Sequence, residues 1–137
     1  MSACEEAGAG NGLPREETEM NKRSTGAVYE RKAGEYLRRQ GYTILQYNYR
    51  CRAGEIDIVA RDGETIVFCE VKYRESGCRG GALEAVTPGK QRTLSRCALF
   101  YLAEHRLTDA PCRFDVAGIE GEAGRVIHVK DAFAYRE

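Results

Sequence analysis

Between Gly54 and Lys72 the chain reads GEIDIVARDGETIVFCEVK, an apolar segment interrupted by Glu55, Asp57, Glu70 and Lys72. Three carboxylates and one ammonium suit a particular chemistry. Hard carboxylate oxygens hold a divalent cation such as Mg²⁺ or Mn²⁺. A compact positive charge beside it steadies a phosphate or a hydroxide. Together these groups could hydrolyse a phosphodiester. The competing reading is a solvated sheet face laced with salt bridges. On spacing alone the two stand level.

For the charges to cooperate they must share a face. Asp62-Gly63 is a usual two-residue hairpin turn between Ile- and Val-rich runs. With these two at the centre, Ile58 faces Val67, Ile56 faces Cys69 and Gly54 faces Val71, an apolar side destined for the core. On the other side Asp57 faces Phe68 and Glu55 faces Glu70, with Lys72 two residues on. Like charges opposed across a sheet cost roughly 0.2–1 kcal/mol. Such a cluster asks for neutralisation, in part by Lys72 and for the rest by a cation.

The remaining elements follow from periodicity and punctuation. Residues 1–23 are polar and Gly-containing and read as a disordered tail, leaving residues 24–137 as one domain. A helix follows Ser24–Thr25, with Tyr29, Ala33, Tyr36 and Leu37 on its apolar stripe and Gly41 as its stop. Residues 42–50 are a β-branched and aromatic first strand, and the hairpin gives two more. Residues 74–86 are Gly-rich and read as a loop able to move. Thr87 then caps a second helix with Pro88 at its first position and Leu94, Ala98, Tyr101 and Leu102 on its buried side. Strands over 112–120 and 125–133 close the chain. The order predicts an α/β sandwich around a mixed sheet.

Acidic and basic residues balance at 21 each, but residues 1–23 carry five acids against three bases, so the folded body is slightly the more basic part. That is compatible with a phosphate-bearing ligand. Six cysteines show no CxxC and no paired His spacing, so neither a zinc site nor a disulfide framework is signalled, and Cys69 and Cys97 read as buried thiols. No apolar run is long enough for a membrane span and no leader pattern is present, so the expected setting is cytoplasmic. Asp115 reads as one half of a structural ion pair with Arg113 or a nearby arginine, rather than as a catalytic group. His105 and His128 read as isolated, and Tyr29, Tyr36, Tyr47 and Tyr49 as packing residues.

The stretch GEIDIVARDGETIVFCEVKYR closely resembles the signature of the YraN-like bacterial proteins, placed in the PD-(D/E)XK, restriction-endonuclease-like superfamily. TGAVYERKAGEYL, TPGKQRTLSRCALFYL, RFDVAGI and the terminal DAF extend the likeness from Gly26 to about Phe133. One departure is Ile56, where the motif's name places proline. The resemblance implies an α-β-β-β-α-β core and a metal-dependent DNA endonuclease. Asp57 and Glu70 would be metal ligands with the Val71 carbonyl, and Lys72 would orient or activate water. Glu30 would join the site from the first helix, as in Holliday-junction resolvases of the superfamily. Glu30 also lies at the edge of the Ala33–Leu37 stripe, whereas Glu35 points to solvent. Arg31, Arg74 and Lys90 are candidate phosphate contacts, and Glu55 reads equally as a carboxylate supporting the site, a ligand of a second ion, or a surface charge of the hairpin. The resolvase likeness further implies action on branched or damaged DNA as a homodimer. The alternatives are a non-catalytic nucleic-acid-binding module on the nuclease scaffold, or a subunit active only in a complex.

Overall fold

The computed structural model describes residues 15–74, 86–121 and 124–137, with side chains from residue 26 onward. Helix α1 (Arg15–Arg39) begins inside the expected tail rather than at Ser24. Residues 15–23 contain neither Gly nor Pro and are mostly strong helix formers, so extension past the packed turns is inexpensive. Residues 1–14 of that tail, and residues 75–85 of the Gly-rich loop, lie outside the described residues. Strands β1 (Thr43–Cys51), β2 (Gly54–Asp62) and β3 (Thr65–Arg74) follow. Helix α2 (Pro88–Glu104) starts on Thr87, whose side chain accepts from the Lys90 N–H, with Pro88 in the first turn. Strands β4 (Cys112–Glu120) and β5 (Arg125–Phe133) complete the fold.

Among the described residues the strands form one sheet in the order β1-β2-β3-β4-β5. Neighbours are antiparallel except β3 and β4, which run parallel and are joined across α2. Ala33 and Leu37 of α1 pack with Ile58, Ala60, Val67, Cys69, Ala117 and Ile119 on one face of the sheet. Leu94, Cys97, Ala98, Tyr101 and Leu102 of α2 pack with Val59, Ile66, Phe68, Phe114 and Val116 on the other. This is the expected α/β sandwich with a mixed sheet, compatible with a restriction-endonuclease-like core. Among the described residues no helix is long and apolar enough to cross a membrane.

The hairpin register differs from the expected one. Asp62 pairs with Thr65, Ala60 with Val67 and Ile58 with Cys69, so the central turn residues are Gly63 and Glu64. Gly63 has φ 63, and Glu64 is not among the residues of positive φ. That is the pattern of a type II′ turn, in which glycine takes the first central position. The slip is by two residues, which changes the facing partners but leaves every side chain on its own face. A second correction concerns Ile56. Tyr47 and its partner Ile58 lie under α1, whereas Tyr49 and its partner Ile56 lie under α2. Strict alternation forbids that. Between the two pairs Asn48 takes φ 55, and the ribbon turns over there.

Gly34 marks the closest approach of α1 to β1. A Cβ at that position would collide with the Tyr47 hydroxyl and come 2.9 Å from its Cζ. The ring, not merely its tip, would have to move. Gly34→Ala is therefore expected to destabilise the protein by about 1–3 kcal/mol, despite alanine's better helix propensity, as read by urea unfolding. An unchanged midpoint would show that the ring yields freely.

A buried ionic network holds the α1 side of β4 and β5. Asp115 is wholly buried and accepts from Arg113 Nε at 3.0 Å and from the Asp131 N–H at 2.9 Å. His128 Nε2 lies 2.8 Å from its other oxygen, and Arg113 also bridges to Asp62 at 3.1 Å. The expected Asp115–Arg113 pair is present. The expected isolation of His128 is not: its ring also meets Tyr36 and Tyr42 edge-on. The β4–β5 register shifts between Phe114 and Val116, so Asp115 sits at a bulge, facing Asp131 with its positive φ of 52. In the parallel ladder Asp115 pairs with Cys69, and the next residue, Val116, pairs with Glu70.

Candidate active site

The site forms where β2 and β3 part. Their ladder ends at Ile58–Cys69, and beyond it the Val71 N–H donates to the Asp57 carboxylate at 2.9 Å. A side chain thus replaces the next rung, which turns Asp57 into the gap. On β3, Ile66 and Phe68 point into the α2 core, so alternation sends Glu70 and Lys72 the same way. They emerge past the end of that core, beside the first turn of α2.

Glu70 is the centre of the arrangement. It is only 3% exposed. Its Oε2 lies 3.4 Å from Lys72 Nζ and 3.6 Å from Lys90 Nζ, while its Oε1 is buried without a hydrogen-bond partner. Burial, then the charge of Asp57, pushes its carboxyl up to about 7 against the pull of the two lysines. Asp57 is also raised, first by burial and further by the charge of Glu55. The Val71 N–H, Glu70 and Lys90 oppose that rise. Lys90 is placed by the Thr87 cap, so the helix boundary itself sets this cation.

Glu30 reaches the site from α1. Its Oε1 accepts from Asn48 Nδ2 at 2.9 Å, and the same nitrogen donates to Glu55 Oε2 at 3.1 Å. Burial raises Glu30, opposed by Asn48, and the charges of Asp57 and Glu55 raise it further. Glu55 also lies 3.7 Å from Arg50 Nε. Asn48 was missed in the sequence, although an asparagine amid β-branched and aromatic strand residues is a signal for unusual backbone.

The structure therefore brings Glu70, Lys72 and Lys90 into contact. Asp57 lies beside Glu70, and Glu30 beside Glu55 and Asn48. Val71 meets Asp57 through its amide. Arg31 stands apart, its guanidinium 4.3 Å from the centre of the Tyr47 ring. Arg74 lies at the end of β3, where its carbonyl accepts from Gly121. Glu35 is exposed, as expected, and pairs with Arg38 at 3.0 Å. Tyr29 stacks on Tyr73 with ring centres 4.5 Å apart.

Residues 29–119 match the family described as "Uncharacterised protein family UPF0102". The chain belongs to that family. It is 54% identical to the UPF0102 protein of Alkalilimnicola ehrlichii over 99 residues, covering 72% of this chain and 79% of that protein. It is 50% identical to the UPF0102 protein of Geobacter metallireducens over 116 residues, covering 83% and 95% respectively. UPF0102 is the YraN family, of the PD-(D/E)XK nuclease-like superfamily. The matched span of this UPF0102 chain contains Glu30, Asn48, Asp57, Glu70, Lys72 and Lys90.

Whether these residues suit a divalent cation can be judged from the donors. Among the described residues no three Asp, Glu, His or Cys side chains are gathered as a ready coordination group. Two lysines instead neutralise Glu70. The donor chemistry nonetheless fits a hard cation. Two carboxylates adjoin, all donors are oxygens, and Glu70 Oε1 is a buried acceptor that nothing satisfies.

Proposed function

We propose that this UPF0102 protein is a metal-dependent endonuclease-like enzyme that hydrolyses phosphodiester bonds in DNA, and that its substrates are branched or otherwise structured. The observation that carries the reading is Glu70: a buried carboxylate with an unsatisfied oxygen, flanked by Asp57 and gripped by two lysines. Burying such a group is costly, and a catalytic task is a reason to keep it.

In this reading Asp57 and Glu70 hold Mg²⁺ or Mn²⁺, which when bound polarises the scissile phosphate and acidifies water. The protein's own groups do the rest. Glu70, whose buried carboxyl is raised to about 7 in the ion-free protein, gives up that proton as the ion binds. Lys72, next to it, holds a phosphate oxygen or hydroxide as a point charge. Glu30 and Glu55, fixed by Asn48, keep the α1 wall acidic and orient water. A symmetric homodimer belongs to the same proposal, because a junction presents two strands, and so does a cytoplasmic setting.

The test is cleavage of single-stranded, duplex and junction DNA with Mg²⁺ or Mn²⁺. Asp57→Ala is expected to reduce the rate by about 10²–10³-fold, the scale of several kcal/mol of transition-state charge stabilisation. No cleavage by the wild type, or equal cleavage by the variant, would defeat the proposal. One observation favours a second reading, a non-catalytic nucleic-acid-binding module: Lys72 and Lys90 already neutralise Glu70 without any ion. Calorimetric titration with Mn²⁺ separates the two, since the enzyme binds the ion through Asp57 and the module does not.

A further inference from the structure

We infer that the outer face of α2 and the β1–β2 turn form one arginine track that grips the backbone of a nucleic-acid duplex. The inference rests on the proposal that the substrate is DNA and adds where it lies and in what form.

The track is built from a helix row and a turn. Arg92, Arg96 and Phe100 stand at successive i, i+4 positions on α2, and both arginines are exposed. The β1–β2 turn rests directly on the same helix. A Cβ on Gly54 would come 2.7 Å from Thr93 Cγ2 and 3.4 Å from Cys97 Sγ, at a φ of 151. That contact carries Arg52 over the Phe100 ring, its guanidinium 5.5 Å from the ring centre. Arg92, Arg96 and Arg52 therefore follow one another along the outer side of the helix, whose first turn also carries Lys90, 3.6 Å from Glu70 on the side facing the sheet. The row from residue 92 to 100 spans about 12 Å at the helical rise.

The charge pattern is unlike that of an ordinary solvated face. The first turn of α2 has no acidic residue, and its only carboxylate, Glu104, ends the helix. Among the described residues Arg52, Arg92 and Arg96 have no carboxylate at salt-bridge distance. Like charges at i, i+4 and cations near a helix N-terminus both oppose helix formation. On α1, by contrast, exposed Arg38 is paired with Glu35 at 3.0 Å. A field left uncompensated on one helix suits a polyanion, and the guanidinium fork suits phosphate. The partner is a duplex because single strands are held by stacking on open aromatic faces. Here the one aromatic ring in the row, Phe100, is half-buried and covered by Arg52.

The experiment is fluorescence anisotropy of the full chain on duplex and single-stranded DNA across a salt series in EDTA, so that no cleavage is involved. Replacing Arg52, Arg92 and Arg96 by Gln is expected to weaken duplex binding at least tenfold. It is also expected to flatten the log–log salt slope by about 2.7, at about 0.9 per lost phosphate contact. The three Lys replacements should retain the slope, and Arg38→Gln should leave it unchanged. An unaltered slope in the triple Gln variant, with its melting curve intact, overturns the track. An equal loss on single strands overturns the duplex assignment. A flattened slope in a protein that cuts nothing sustains the track while refuting the enzyme.

Discussion

Glu70→Gln is expected to make the protein more stable at pH 8 and to cost about 10³-fold or more in cleavage. The two effects have one origin. In the folded chain the Glu70 carboxyl is pushed from 4.5 to about 7, by burial first and then by the charge of Asp57. Between those values the folded protein holds a proton that the unfolded chain has released. Stability therefore declines as pH rises through the window, and above about 7 the whole cost is present. Its size is on the order of 2–3 kcal/mol. Glutamine keeps the shape without the charge, while Lys72 and Lys90, each about one-third exposed, turn to water. A rise in melting temperature of about 5–10 °C at pH 8 follows, shrinking towards zero near pH 5. The carboxylate's part in holding the cation is lost at the same time. Melting curves at the two pH values check the first half and a cleavage assay the second. A variant less stable than wild type at pH 8 would show that the lysine contacts outweigh the burial.

Asp115→Ala should do the opposite, lowering stability by about 3–5 kcal/mol, the usual result of removing one member of a buried ion pair. Burial tends to raise the Asp115 carboxyl, but His128, the Asp131 N–H and Arg113 together hold it below its ordinary value. A carboxyl held low contributes stability that is fully present above about 3.8 and is lost as pH falls through its folded value. The deficit of the alanine variant should thus be largest at neutral pH and shrink in acid. Urea unfolding at pH 7 and pH 3 reads this directly. A loss under 1 kcal/mol at pH 7 would mean that Arg113 and Asp62 close the gap on their own.

Much of this architecture could be read in the chain because its signals are local. Thr87-Pro88 carries the α2 boundary, and the stripe Leu94, Ala98, Tyr101 and Leu102 fixes the buried side. Glu70 and Lys72 share a face by alternation along β3, whereas Asp57 joins them from a broken rung, through the Val71 N–H. What the chain concealed is non-local or depends on unusual backbone. The turnover of the ribbon at Asn48 cannot be deduced from alternation, which assumes regular strands, and it carries both the crossing of Ile56 and the Glu30–Asn48–Glu55 bridge. His128 meets Asp115 diagonally, from opposite Ala117, through a β4–β5 register that no local signal specifies. Lys90 was legible as a basic residue near the start of α2. Its contact with Glu70 required the crossover that lays α2 over β3.

The side-by-side rungs Cys69–Asp115 and Glu70–Val116 have a practical consequence for mutagenesis. Two groups of charged residues lie back to back across a single layer of peptide, one reactive in our reading and one merely supportive. A survey scored by activity alone would rank Asp115 and His128 with Asp57 and Glu70, since loosening the rear group lets the front one drift. Only a parallel measurement of unfolding would tell the keystone from the cutting edge.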